Sequence, residues 1–279
     1  MIAGRARGFS ADRPVGVFDS GIGGLTVLRE LLAELPHESF VYLGDTARLP
    51  YGTKTAQTVV RYSVQAADAL VALGVKCLVI ACNTASAAGL AAIRDHVHPL
   101  PVIGVIEPGA EVASGVTRSG HIAVIATERT VRGGAYQQAI LKHRPEARVH
   151  ALAAQLFVAL AEEGLTEGPL AEGAARHYLG ELFGAGAAGP DTLVLGCTHF
   201  PLLMRPIRAV VGPDVRIVDS ARTTARAVRS ALSAAALEAP SATGTLRLLA
   251  TDGAERFARV GGPFLGCAIA PEDVELIDL

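Results

Sequence analysis

The sequence predicts an α/β fold with a largely parallel, doubly wound sheet, organised in two halves. Three observations lead there. Short runs of branched apolar residues alternate with stretches of helical periodicity, the pattern of strands joined by crossover helices. Two of the runs, residues 78–85 (LVIACNTA) and 193–200 (LVLGCTHF), repeat one design: a strand too short for a helix, a small residue, a cysteine and a threonine close behind. Those two runs lie far enough apart for each to occupy its own half of the chain.

The elements follow in order. Residues 15–18 give a first strand, and the loop Asp19-Ser20-Gly21-Ile22-Gly23-Gly24 comes after it. Leu25, Leu28, Leu32 and Leu35 then recur at helical spacing until Pro36 stops them. Residues 40–43 form the second strand, residues 44–52 (GDTARLPYG) a loop, and residues 55–73 a long helix that leads into the Cys82 strand. Pro99, Pro101, Pro108 and Gly109 punctuate the next stretch, and the first crossover falls near Glu107.

A second cycle begins with a strand at 121–126, then Thr127 and a helix containing Tyr136. It runs on through 147–151, the segment 155–164 and a helix ending near the glycine-rich 184–190. The Cys197 strand, a helix opened by Pro201, a strand at 215–218, a helix at 220–236 and a strand at 245–251 complete the series. Residues before Glu107 supply only four or five strands, so the C-terminal portion is expected to return to the first unit. The division read from this is 1–106 plus 219–279 for the first domain and 107–218 for the second.

Composition narrows the function. With 279 residues, half of them hydrophobic and 19% charged, the chain can bury a substantial core and has no disorder-prone bias. A net charge of −2 offers no polybasic surface, so direct nucleic-acid binding is not expected. No apolar run is long enough to cross a bilayer. The basic start, MIAGRARGFSADR, lacks the apolar centre of a secretory signal and reads as a frayed leader. Four cysteines without scaffold spacing fit a reducing cytoplasm. Of the three lysines, Lys54 sits in a candidate site loop, Lys76 and Lys142 read as surface charges, and none has a context for a pyridoxal Schiff base.

The paired cysteines carry the chemistry. In open α/β sheets ligands bind beyond the carboxyl ends of the strands. A cysteine there meets backbone N–H groups and the positive end of a helix dipole, and both favour thiolate. Two such thiols on facing halves can approach one carbon from opposite sides, as a racemase requires. A single strand-end cysteine is more often a small buried hydrophobe, and Cys77 and Cys267 fit that description. Asp19 either caps the following helix or serves the Cys82 thiol. His199, two residues after Cys197, is near enough to act on that thiol. Glu162 and Glu163 end an apolar segment, where a solvated helix end is the plain alternative.

Other chemistries fit less well. Gly21 and Gly23, with Asp45 22 residues on, match part of a dinucleotide fingerprint, but Thr26 holds the third glycine position. Cys197-Thr198-His199 lacks the spacing of a zinc site, and no G-x-S-x-G elbow occurs. A cysteine hydrolase needs only one thiol.

VGVFDSGIGGLTVL, YLGDTARLPYGTKT, IACNTASA, PVIGVIEPG and LGCTHFPLL, in that order, resemble the glutamate racemases of the aspartate/glutamate racemase superfamily over about residues 15–219. The resemblance implies two pseudo-symmetric α/β domains with the active site in the cleft between them, commonly in a homodimer. It implies cofactor-independent interconversion of L- and D-glutamate, the latter for peptidoglycan. Residue by residue, Cys82 and Cys197 match the catalytic thiols, serving D- and L-glutamate respectively. Asp19 matches the group assisting the first, and His199 and Glu162 those assisting the second. Asp19, Ser20, Pro50, Tyr51, Gly52, Asn83, Thr84, Thr127, Thr198 and His199 match substrate-binding positions. Departures stand at Ala126-Thr127 and Gly133, where the family has Gly-Thr and serine. Ala154-Gln155 and Ala159 replace a usual Cys-Pro and a later proline, which leaves Glu162 and Glu163 to be distinguished. Rival readings are a racemase of aspartate or another acid, and an added DNA-gyrase-inhibiting role for which no sequence feature speaks.

Overall fold

The computed structural model describes residues 10–184, 189–240 and 244–279. The N-terminal stretch read as a leader and the glycine-rich 184–190 segment therefore lie largely outside the described residues. Two sheets form, and every strand pairing in them is parallel. The first contains β1 (Val15–Asp19), β2 (Phe40–Gly44), β3 (Cys77–Ile80) and β4 (Val102–Gly104), joined at one edge by β9 (Leu246–Ala250) and β10 (Val274–Leu276) in the order β10-β9-β2-β1-β3-β4. The second contains β5 (His121–Ala126), β6 (Arg148–Ala153), β7 (Thr192–Gly196) and β8 (Arg216–Asp219) in the order β6-β5-β7-β8.

The two orders share one plan. In each sheet the first strand lies between the second and third, so successive crossovers leave in opposite directions and open a crevice at the strand ends. Asp19 ends β1 and Cys82 follows β3 at the crevice of the first sheet. Thr127 follows β5 and Cys197 follows β7 at the corresponding crevice of the second.

The strand sequences explain their burial. Val15, Val17, Cys77 and Val79 pack into a large core that also takes in the second sheet. Their alternates Phe18, Leu78 and Ile80 turn to a smaller core on the opposite face. Each large apolar side chain so enclosed contributes about 1.5–3 kcal/mol. Helix α1 (Leu25–Glu34) follows β1, and α2 (Ala56–Ala72) begins at Thr55, whose side chain accepts from Thr58 N at 3.3 Å. Helices α3 (Asn83–His96) and α4 (Ile106–Val116) complete the first cycle.

The second cycle departs from the sequence reading around Tyr136. The single helix expected around Tyr136 is two, α5 (Glu128–Gly133) and α6 (Ala135–His143), because Gly134 adopts the left-handed conformation between them (φ 67°). Then come α7 (Leu156–Glu162), α8 (Gly168–Phe183), α9 (Met204–Val211) and α10 (Ser220–Ala234). Helix α11 (Ala254–Leu265) and β10 are elements the sequence reading did not contain.

A second correction concerns Lys76. Far from being a surface charge, it is fully buried, pairs with Glu38 at 2.5 Å and donates to Ala11 O at 2.6 Å. The ion pair with Glu38 makes that burial tolerable.

Candidate active site

The catalytic and substrate-binding positions that the resemblance implies meet at one cavity of about 40 Å³. Asp19, Ser20, Pro50, Tyr51, Gly52, Cys82, Asn83, Thr84, Thr127, Glu162, Cys197, Thr198 and His199 all line it, together with Gln155 and Val158. Both sulfurs belong to side chains only 5% exposed. Glu163 is the cap residue after α7 and is not among the lining residues, whereas Glu162 is.

The two cysteines reach the cavity by different local structures. Cys82 is the N-cap of α3, and its Sγ accepts from Ala85 N at 3.4 Å and lies 3.3 Å from Ser20 Oγ. The helix expected straight after Cys197 is instead a 3-10 turn, Phe200–Leu203, with Pro201 near its start, and α9 begins only at Met204. Its charge support comes from a neighbour: His199 Nδ1 lies 3.8 Å from Sγ.

The assisting groups differ in sign. Asp19 is buried behind Cys82, and its carboxylate does not cap α1 but accepts from Gly21 N at 3.0 Å within its own loop. Burial raises its pKa, with His199 opposing. Burial and then the Asp19 charge push the Cys82 thiol up to about 12. On the other side, His199 Nε2 meets Glu162 Oε1 at 3.1 Å, and Arg256 donates to Glu162 Oε2 at 2.8 Å. Burial works against the imidazolium, yet hydrogen bonds and charge from Cys197 and Glu162 outweigh it and raise His199 to about 10. Glu162 is lowered to about 2, chiefly by the His199 hydrogen bond, with Arg256 adding to it against burial.

Hydroxyls and amides tie the two sheets together around the cavity. Thr84, Thr127 and Thr130 exchange hydrogen bonds of 3.0–3.4 Å, and Thr26 Oγ1 donates to Thr198 O at 2.9 Å. Tyr136 donates to Asn83 Oδ1 at 2.7 Å, which leaves the Asn83 Nδ2 buried with no hydrogen-bond partner. Asp19 Oδ1 and Gln155 Oε1 are likewise buried and unpartnered. One donor and two acceptors thus point to a small zwitterionic ligand with a carboxylate. Tyr51 is held by its O–H bond to Asp45, which also receives Arg48 Nε at 2.7 Å and Thr251 Oγ1 at 3.0 Å.

The glycine loop has a use other than cradling a dinucleotide. A Cβ on Gly23 would collide with Thr198 Oγ1 and the His199 ring, so the glycine lets β1's loop close on the opposite sheet. Among the described residues, no group of three or more His, Cys, Asp or Glu side chains is arranged to hold a metal ion.

Comparison with known proteins decides the family. The model of the Asp/Glu/hydantoin racemases matches residues 21–228. The chain belongs to that family. A glutamate racemase of Geobacter metallireducens is 51% identical over 91% of this chain and 93% of its own length. Among solved structures, the glutamate racemase of Francisella tularensis in complex with D-glutamate superposes with a TM-score of 0.88 at 34% identity, covering 96% of this chain and 98% of that one. The glutamate racemase RacE1 of Bacillus anthracis gives 0.90 at 36% identity, with the same coverage. This protein is accordingly an amino-acid racemase of the glutamate racemase type, and its two-sheet α/β architecture is that of its relatives.

Arg256, Gln155 and Tyr136 are the site residues that sequence reasoning did not assign. Arg256 lies on a helix that was not read, and Gln155 was noted only as a departure from the family pattern. Tyr136, on the second helix after β5, reads from the sequence as a helical residue alone.

Proposed function

We propose that the protein interconverts L- and D-glutamate by a two-thiol proton transfer at the α-carbon, without a cofactor. The observation that carries this reading is that Cys82 and Cys197 line one cavity with assistants of opposite charge. One sulfur, beside the His199 cation, takes the α-proton of L-glutamate, while Cys82, held as a thiol, delivers a proton to the opposite face. In the reverse direction Cys82 passes its proton to Asp19, whose carboxyl is raised by burial, and the His199 imidazolium gives its proton to Cys197, so that Cys82 takes the α-proton of D-glutamate and Cys197 delivers one to the opposite face. The α-carbon is a weak acid, so proximity and preorganised charge supply most of the acceleration.

Substrate holding follows the same chemistry. Asn83 Nδ2 and the hydroxyls of Thr84, Thr127 and Thr198 suit the carboxylates, and Asp19 Oδ1 and Gln155 Oε1 suit the ammonium group. Ser20, Pro50, Tyr51 and Gly52 complete the wall. The two halves, 1–106 with 219–279 and 107–218, move as domains that admit the substrate and close on it. The D-glutamate is destined for peptidoglycan, and the enzyme works in the cytoplasm as a homodimer; no helix among the described residues is long and apolar enough to cross a membrane.

The test is direct. Cys82→Ala and Cys197→Ala are assayed with L- and D-glutamate and with both enantiomers of aspartate, following solvent deuterium entering the α-position. Each variant is expected to lose racemisation in both directions. A single-thiol variant that racemises at the wild-type rate refutes the two-base scheme, and faster turnover of aspartate refutes the substrate.

A further inference from the structure

We propose that Arg256 is a positioning residue for the Cys197 side of the site, acting across the cleft through Glu162 and His199. The proposal rests on the two-thiol reading above and extends it to a residue outside the cavity wall.

The geometry is a chain of three contacts. Arg256 Nη2 meets Glu162 Oε2 at 2.8 Å, Glu162 Oε1 meets His199 Nε2 at 3.1 Å, and His199 Nδ1 lies 3.8 Å from Cys197 Sγ. Its two ends come from different sheets. Arg256 is on α11, which packs against α1 and β10 of the first sheet, whereas Glu162, His199 and Cys197 belong to the second cycle. A second contact from α11 reaches the same imidazole, since the Phe264 ring stands edge-on to His199 at 5.1 Å.

The physical argument concerns orientation. A glutamate carboxylate bonded through one oxygen still turns about its last torsion, whose preference is broad. A charge-assisted bond to the other oxygen fixes the plane, and with it the line from Oε1 through the imidazole to the sulfur. Helix α11 can hold that plane only while the two halves are together, so the second thiol's support is complete in the closed cleft and incomplete in an open one. An ordinary surface ion pair has no such consequence. Arg205 and Glu167, 2.7 Å apart and both well exposed, make a pair of that kind and serve as the control.

Arg256→Gln, Arg256→Lys and Arg205→Gln are prepared in the full chain, with thermal unfolding recorded for each. Arg256→Gln is expected to lower kcat roughly tenfold or more with KM for glutamate changed less than about twofold; Arg256→Lys restores most of the loss, and Arg205→Gln changes nothing. The equilibrium constant of racemisation is one, so kcat/KM must fall equally in both directions. The directional mark is the isotope effect. It grows with α-deuterated L-glutamate, the enantiomer assigned to Cys197, and not with α-deuterated D-glutamate. In a Glu162→Gln background, Arg256→Gln should cost nothing further.

Kinetics of Arg256→Gln within twofold of wild type, equal isotope effects on the two enantiomers, or an undiminished penalty on the Glu162→Gln background would each overturn the proposal. Retention of racemisation by Cys197→Ala would instead overturn the two-thiol reading, whatever Arg256 does.

Discussion

Glu162→Gln keeps the size of the side chain and removes its charge, so it isolates what the carboxylate does for His199. The magnitude can be bounded from both partners. Holding Glu162 near 2 instead of 4.5 corresponds to about 3 kcal/mol, and Arg256 supplies part of that. The rise of His199 from 6.5 to about 10 is larger, because Cys197 contributes as well as Glu162. Glu162's own share is therefore the smaller figure, reduced again by the partial exposure of its side chain, 19%. That leaves about 1–2 kcal/mol, or roughly a five- to thirtyfold effect. Its consequence for pH is definite in sign. The imidazolium stands beside Cys197 Sγ and balances an incoming dicarboxylate, so kcat/KM falls as pH rises through the His199 pKa. In Glu162→Gln that alkaline limb should move down by about one pH unit, so kcat/KM should drop roughly five- to eightfold at about pH 10–10.5 and change little at about pH 8, which lies below both limbs. The measurement is a pH profile of kcat/KM between pH 6 and 10.5, read in both directions. An alkaline limb that coincides with wild type, with kcat/KM changed less than threefold, would refute the reasoning.

Three further outcomes follow from the packing. Lys76→Ala leaves Glu38 buried without its cation and should cost about 3–5 kcal/mol, measured by urea unfolding; a cost under about 1 kcal/mol would mean that the pair is neutralised or solvated. Gly23→Ala places a methyl group against Thr198 and His199, so kcat/KM should fall at least tenfold while urea unfolding changes by no more than about 1–3 kcal/mol. Tyr136→Phe strips the donor from Asn83 Oδ1 and frees the amide to turn, which should raise KM more than it lowers kcat and cost about 1–3 kcal/mol of stability. The last is checked by steady-state kinetics beside thermal unfolding, and an unchanged KM would count against Asn83 as a substrate donor.

The strand-end residues were legible because their chemistry and their position are written in the same few letters. An apolar run followed by Asp19, Cys82, Thr127 or Cys197 fixes both the sheet edge and the polar group on it, and two repeats of that pattern suffice to set two crevices face to face. Residues that act through partners distant in sequence left no such trace. Lys76 precedes β3 and Glu38 precedes β2, and only the shared neighbour β1 makes their pairing inevitable. Helix α11 contains Gly261, Gly262 and Pro263, all poor helix formers, yet Phe257, Val260, Phe264 and Leu265 keep a buried helical face through them. With the helix unread, Arg256 had no address.

The two cysteine runs look alike in sequence and differ in what stands behind them, and the difference has a chemical reason. A racemase that removes one proton with one sulfur and delivers a different proton from the other needs those sulfurs in unlike states at every moment. If both were backed by a cation, two thiolates would face the substrate and neither could deliver a proton. If both were backed by a buried carboxylate, two thiols would face it and neither could remove one. Asp19 beside Cys82 and His199 beside Cys197 break that symmetry in opposite directions, with Cys82 pushed up to about 12 and His199 to about 10. Helix α3 alone cannot set the state of Cys82, because its N-terminal dipole favours thiolate while burial and Asp19 favour thiol, and the latter two win. On the two-thiol reading, turnover of D-glutamate must begin with a proton moving from Cys82 to Asp19 and another from His199 to Cys197. Asp19 can receive the Cys82 proton because burial has already raised its carboxyl.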